Sequence, residues 1–273
     1  MLAPTQDWDD AFANMAHIPG SAALPGLWAE QAATYRASGV RVDQGIAYGP
    51  HPREVFDLVW PDLAPRGLAL FIHGGFWMRL DRSFWTHLAQ GARAMGWAVC
   101  LPSYTLAPEA RIAAMTAQMA QAVQAAAALV PGPIRLSGHS AGGHLATRLI
   151  CDDTALTPAI LQRVEATLSI SGLHDLRPLR QTAMNQTLHL DEAEAVTESP
   201  ALHRPAAAIP LTCWVGGGER PEFIRQSRLM VQMWAGLDTP TACMIDGSHN
   251  HFTVIEGLCD PASPITRALC GTA

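Results

Sequence analysis

Short runs of consecutive apolar residues recur along the chain, separated by longer stretches in which apolar positions return every three or four residues. The runs are VFDLVW (55–60), LALFIH (68–73), WAVCLP (97–102), PIRLS (133–137), ATLSIS (166–171), LTCWVG (211–216) and TACMID (241–246). Most are nearly unbroken, the pattern of strands covered on both faces. Between them, helices are predicted from about Arg82 to Met95, Arg111 to Val130, Ala141 to Cys151 and Glu222 to Leu237. The second of these is rich in strong helix formers and stops before Pro131-Gly132-Pro133, where the chain must turn. Strand and helix in alternation imply an α/β architecture with a mostly parallel, doubly wound sheet.

Two segments stand outside this rhythm. LPGLWAEQAATYRASG reads as a helix ending at Gly39, within a helical N-terminal region over about 7–38. The span of about 173–210 has many turn residues and only short helical patterns, and is expected to form a small cap inserted above the sheet. Ligands of open α/β sheets bind beyond the carboxyl ends of the strands, where such an insertion would lie.

The 273 residues, 49% of them hydrophobic, are enough for one large core, so one domain over the whole chain is expected. No apolar run is long enough for a membrane span. The N-terminus carries early acidic residues and no basic start before an apolar stretch, so a cytoplasmic protein is expected. Net charge is −6 and the 18 basic residues are scattered singly, which argues against a nucleic-acid partner. All 18 are Arg. Without Lys, Schiff-base chemistry, a Ser-Lys dyad and a Walker A loop are closed to this chain. The six cysteines form no CxxC pair and read as free thiols, mostly buried. The sequon Asn185-Gln186-Thr187 reads as chance.

The candidate chemistry begins at Gly138-His139-Ser140-Ala141-Gly142, placed between the strand PIRLS and the helical AGGHLATRLIC. In a G-x-S-x-G elbow the serine sits on a strained strand-to-helix turn that exposes its hydroxyl. A serine hydroxyl needs a base to take its proton and a carboxylate to orient that base. In elbow enzymes these follow the serine in the order acid, then histidine. Of eleven histidines only His249 and His251 come after TACMID, and His251, at the mouth of the closing helix, is preferred. A metal site at this His-x-His pair has no HExxH or Cys/His cluster to support it. Glu219, following LTCWVGGG, is preferred over Asp175 and Asp246 as the acid. Glu222 is expected to begin a helix and Asp175 to cap one.

His73-Gly74-Gly75-Phe76-Trp77 follows the strand LALFIH, and its glycines would let main-chain N–H groups converge. The N–H groups of Gly75, Phe76 and Ala141 are the expected oxyanion hole, with His73 a structural residue. Trp77, Trp85, Tyr104, His174 and Met184 are candidates for the pocket lining, with core packing the alternative for each.

With these residues in place, the sequence resembles the α/β-hydrolase superfamily, and within it the kynurenine formamidase (arylformamidase) group and its esterase relatives. HGGFW resembles that group's HGGYW, GHSAGGHL its GHSAGAHL, and SGLHDLRPL with TESPAL the two ends of its cap. VGGGERPEFIRQS resembles its acid segment, with Glu219 where Asp is common, and NHFTVIE its DHFD-type histidine turn. The resemblance implies an α/β-hydrolase fold with about eight strands and a small helical cap. It implies Ser140, Glu219 and His251 as the triad, no cofactor and no metal, and an acyl-enzyme route to hydrolysis of a small acyl amide or ester. N-formylkynurenine-like aryl formamides are the first expectation. Short-chain esters are the second, and a catalytically silent ligand-binding fold a third from another class. Homodimerisation stays open.

Overall fold

A computed structural model describes residues 6–271; the first five residues, part of the N-terminal stretch read above, lie outside them. Eight strands form one sheet: β1 (Val42–Ala47), β2 (Val55–Val59), β3 (Leu68–Ile72), β4 (Ala98–Pro102), β5 (Ile134–His139), β6 (Val164–Ile170), β7 (Leu211–Gly216) and β8 (Thr241–Asp246). Their order across the sheet is β1-β2-β4-β3-β5-β6-β7-β8. β1 and β2 pair antiparallel, as do β2 and β4, while every pairing from β4 through β3 to β8 is parallel. All seven apolar runs become strands.

The neighbouring inner strands β3 and β4 are buried at every residue, as their unbroken apolar sequence requires. The helices Ile112–Leu129, Ala141–Arg148 and Pro221–Trp234 pack around one apolar cluster of the sheet. Residues of Leu24–Ala37, Gln90–Ala94 and Pro264–Cys270 join the other, with Trp28, Trp85 and Trp97 at its centre. Both faces of the inner strands are thereby largely closed to water, while the edge strands β1 and β8 keep exposed residues. No helix among the described residues is long and apolar enough to cross a membrane. All six cysteines are free; burial pushes the thiol of Cys259 up to about 11.

Three local features depart from the periodic reading. β1, VDQGIA, carries no continuous apolar signal because it lies at the sheet edge and is interrupted by an irregularity between Asp43 and Ile46. There Gly45 takes φ +70° and its N–H donates to the buried Asp57 carboxylate at 2.8 Å. Arg82 Nε donates to the same oxygen at 2.7 Å, which explains how an Asp survives inside the apolar strand β2. The predicted helix 82–95 is instead two 3₁₀ turns, Arg82–Phe84 and Thr86–Ala89, followed by a short helix Gln90–Ala94. Trp85 breaks it: its φ of −124° and ψ of 5° lie outside the helical region, and its ring packs at 4.8 Å on Trp28. The helix after the serine ends at Arg148 rather than Cys151, whose backbone bridges to Pro205.

Between β6 and β7 the chain makes only short helical pieces, Arg177–Gln181, Asn185–Leu188, Glu192–Thr197 and Pro200–Leu202. A charged network ties them to the helices below. Arg148 Nε meets Glu198 at 3.2 Å, Arg111 pairs with Glu194 and Asp191, and His144 Nε2 donates to the Glu198 carbonyl at 2.6 Å.

Candidate active site

The serine turn follows directly from its glycines. β5 ends at His139, the helix starts at Ala141, and Ser140 between them has φ +57° and ψ −119°. That left-handed φ is costly for a residue with a side chain, on the order of 1–3 kcal/mol, and persists only when the surroundings impose it. They do so by close approach: a Cβ on Gly142 would fall 1.9 Å from the Ile72 carbonyl oxygen, and one on Gly138 would fall 2.2 Å from that of Gly142. The start of the helix is thus pressed onto the end of β3.

The HGG loop follows β3 and lies against the same turn. A Cβ on Gly74 would come within 3.0 Å of the Ser140 Cβ. Gly75, Phe76 and Trp77 all have positive φ, at 109°, 50° and 58°, so the loop curls back on itself. Among the described residues, the main-chain N–H groups of Gly75, Phe76 and Ala141 donate to no protein acceptor. His73 donates Nδ1–H to the Gly74 carbonyl at 2.8 Å and stacks on Tyr104 at 4.4 Å. Burial lowers its pKa to about 4, so it stays neutral and supports the loop.

The acid and histidine loops meet at the carboxyl ends of β7 and β8. His251 Nδ1 lies 2.6 Å from Glu219 Oε2. The other carboxylate oxygen accepts from Ser171 Oγ at 2.5 Å and from the Gly216 N–H at 2.8 Å. Gly218 N donates to the His249 carbonyl at 2.9 Å, stitching the loops together. Gly216 is needed for contact rather than for a turn, since a Cβ there would meet the His249 carbonyl oxygen at 2.6 Å. The histidine turn caps itself: Asn250 Oδ1 accepts from Phe252 N at 2.9 Å, and Thr253 Oγ1 accepts from Asn250 N at 3.0 Å. Turns and a 3₁₀ segment, Glu256–Cys259, follow His251, and the closing helix begins only at Pro264.

His139, inside the elbow, holds the histidine from below. Its Nε2–H donates to the His251 carbonyl at 2.8 Å, with the two rings 4.6 Å apart. Burial first, and the neighbouring His251 second, drive its pKa well below the usual imidazole value.

Ser140 and His251 line one cavity of about 300 Å³, together with Gly75, Phe76 and Trp85. The competing residues sit elsewhere. Asp246 accepts from Ser248 N and lies 3.9 Å from His249, which itself contacts Thr253. Asp175 accepts from Arg177 N at the start of a cap turn and pairs with its guanidinium. Glu222 lies in the first turn of Pro221–Trp234 and pairs with Arg225.

Of the five residues expected at the lining, Trp85 and Met184 are there. Trp77, Tyr104 and His174 are not. Trp77 is fully buried with its ring edge-on to His144. Tyr104 lies under His73, to whose carbonyl it donates at 3.0 Å. His174 shares a hydrogen bond with Ser169 Oγ at 2.9 Å and faces Gln226, and burial lowers its pKa to about 4. The sequence reading missed that the N-terminal segment roofs the cavity, through Asp9, Phe12, Asn14, Met15 and Trp28. Phe12 packs edge-on against Phe223, whose ring is 4.6 Å from that of His251. A larger groove of about 570 Å³, between Ile224, Arg228 and Ile245, contains none of these residues.

Residues 69–218 match the family defined by the α/β hydrolase fold, a stretch that carries both the HGG loop and the serine elbow. The chain belongs to the α/β-hydrolase family. It is an α/β-hydrolase enzyme, similar to formamidases and esterases. The hydrolase is 26% identical over 234 residues to the kynurenine formamidase of Danio rerio, covering 82% of this chain and 79% of that one. It is 23% identical over 248 residues to that of Drosophila melanogaster, covering 85% and 81%. A solved structure of a candidate thioesterase from a Silicibacter species superposes with TM-score 0.91 at 43% identity, over 97% of this chain and 99% of that one. Esterase B from Lactobacillus rhamnosis shares the fold at TM-score 0.68 and 16% identity, over 91% and 92%.

Proposed function

We propose that the hydrolase cleaves a small acyl amide or ester through a serine-bound acyl intermediate, with aryl formamides of the N-formylkynurenine type as substrates. The observation that carries the reading is the His251–Glu219 contact of 2.6 Å opening onto the cavity that Ser140 shares. With Nδ1–H donated to the carboxylate, Nε2 is the free base. It takes the Ser140 proton as Oγ attacks the formyl carbon. The developing oxyanion is received by the N–H groups of Gly75, Phe76 and Ala141. His251 then returns the proton to the leaving nitrogen, the C–N bond breaks, and the arylamine departs. Water, deprotonated by the same imidazole, releases formate and restores Ser140.

The aryl choice is supported by the cavity, whose 300 Å³ suits a small ligand and whose walls include Phe12, Trp28, Trp85 and Phe252. It is supported also by the formamidases at 23–26% identity. Thioesters or esters of short acyl chains are a second reading, favoured by the candidate thioesterase at 43% identity. The test is kcat/KM for N-formylkynurenine, p-nitrophenyl acetate and acetyl thioesters on purified protein. The formamide is expected to be preferred, and a clear preference for either ester rejects it. Labelling of wild type but not Ser140→Ala by a fluorophosphonate checks the serine chemistry independently.

A further inference from the structure

Ser171, the first residue past β6, carries a side chain where the backbone would be better served by glycine. Its φ of +51° is left-handed, a conformation uncommon for a residue with a Cβ. The main-chain work at this point needs no hydroxyl. The Ser171 N–H donates to the Trp214 carbonyl at 2.7 Å, one step beyond the Ile170–Trp214 pair of the β6–β7 ladder, and any residue with an N–H does the same. The chain then bends at Gly172, where a Cβ would fall 2.2 Å from Ser169 Oγ and 2.9 Å from His174 Nε2. Strain is retained here together with a side chain, so the use for it is to be sought in that side chain.

Ser171 Oγ donates to Glu219 Oε1 at 2.5 Å. An ionised carboxylate offers only acceptors, so the hydroxyl is the donor. Both residues are buried, and Ser171 is not among the residues that line the cavity. A glutamate carboxylate sits at the end of a long side chain and turns broadly about its last torsion. The Gly216 N–H holds Oε1 at 2.8 Å, but with that bond alone the group still pivots about Oε1. A second donor on the same oxygen, from another strand end, removes the pivot and leaves Oε2 aimed at His251 Nδ1.

We propose that Ser171 is a positioning residue for the acid: its hydroxyl fixes the Glu219 carboxylate so that His251 keeps Nδ1–H toward Oε2 and presents Nε2 to Ser140. This deepens the hydrolytic reading of the site above and rests on it. The hydroxyl touches no reacting atom and acts only through Glu219. Its removal therefore lowers turnover where a carboxylate is present to be aimed, and costs nothing more once that carboxylate is gone.

The test is a double-mutant cycle on the full chain, with Ser171→Ala introduced into wild type and into Glu219→Gln and p-nitrophenyl acetate as substrate. In wild type the change is expected to lower kcat about 10-fold or more while KM stays within about 2-fold. In Glu219→Gln the same change is expected to alter kcat by less than about 2-fold. Ser171→Gly removes the hydroxyl from a backbone that accepts φ +51° without strain, and is expected to lose kcat as Ser171→Ala does. Should Ser171→Ala not fold, Ser171→Gly carries the cycle. A merely structural role costs the same factor in both backgrounds; that result, or an unchanged kcat in the single variants, overturns the proposal. Fluorophosphonate labelling keeps the two readings apart. Labelled wild type with equal losses in both backgrounds sinks the Ser171 assignment alone, whereas unlabelled wild type sinks the serine mechanism and this role with it.

Discussion

His251 Nδ1 and Glu219 Oε2 lie 2.6 Å apart with both side chains buried, and the second carboxylate oxygen is held by Ser171 and the Gly216 N–H. The carboxylate is held from both sides, so its direction is set before substrate arrives. On the proposed roles, Glu219→Gln lowers kcat by about 10²–10⁴-fold, because a neutral amide neither steadies the imidazolium nor enforces the tautomer. The fold is retained, as circular dichroism would report. Asp246→Asn, at a carboxylate whose partners are Ser248 N and His249, leaves kcat near wild type; the opposite ranking moves the acid to Asp246.

Two histidines two residues apart have different surroundings. The His251 ring is buried and contacts Glu219, whereas His249 is half-buried and its ring has polar partners in Thr253 and Asp246. His251→Ala is expected to remove nearly all turnover and His249→Ala to retain most of it. Steady-state rates on one substrate decide this, and a dead His249→Ala beside an active His251→Ala reverses the assignment.

Gly142 admits no side chain. A methyl group would sit 1.9 Å from the Ile72 carbonyl oxygen, a backbone atom of a fully buried central strand. Gly142→Ala is expected to destabilise the fold by at least about 3 kcal/mol, since neither the helix start nor β3 can shift cheaply. Chemical denaturation would measure it, and a loss below about 1 kcal/mol would show that the elbow is looser than its contacts imply.

Buried histidines set an acid limit. Burial lowers His73 and His174 to about 4 and His144 to about 3, and places His139 well below the usual value. In the unfolded chain each titrates near about 6.5. Below that pH the unfolded state binds protons that the fold refuses, so stability falls as pH drops from about 6.5 toward 4 and is unaffected by these groups above it. Each contributes a slope of up to about 1.4 kcal/mol per pH unit in that window. Thermal melts at pH 7.5 and 5.0 should differ by a marked loss of Tm at the lower pH. Equal melts would mean that these imidazoles can be protonated without unfolding.

The sheet was legible because its information is local. Seven largely apolar runs mark seven strands, and the inner strands β3 to β7, buried over most of their length, tolerate little else at those positions. β1 escaped because an edge strand with an irregular register has one solvated side and no such constraint. The serine turn was legible for the same reason: the glycines, the serine and the strand before them are contiguous, and the steric demand falls on neighbouring residues. Gly217 and Gly218 make the turn before Glu219, while Gly216 serves close approach of the histidine loop, which only the packed loops reveal.

The proposed partners of the serine and the walls of the cavity belong to the tertiary structure. Chain order narrowed the histidine to two residues and the acid to three, but only folding brought His251 onto Glu219 and left Asp246 and Asp175 with other partners. Trp77, Tyr104 and Trp85 are alike as residue types, yet the first two support the HGG loop from the core and the third faces the cavity. Asn14 gave no signal, because its partner Arg220 lies 206 residues away in sequence. Local periodicity says which side chains leave water; which of them meet one another across the molecule is decided by how the loops at the strand ends pack, and no short stretch of chain contains that information.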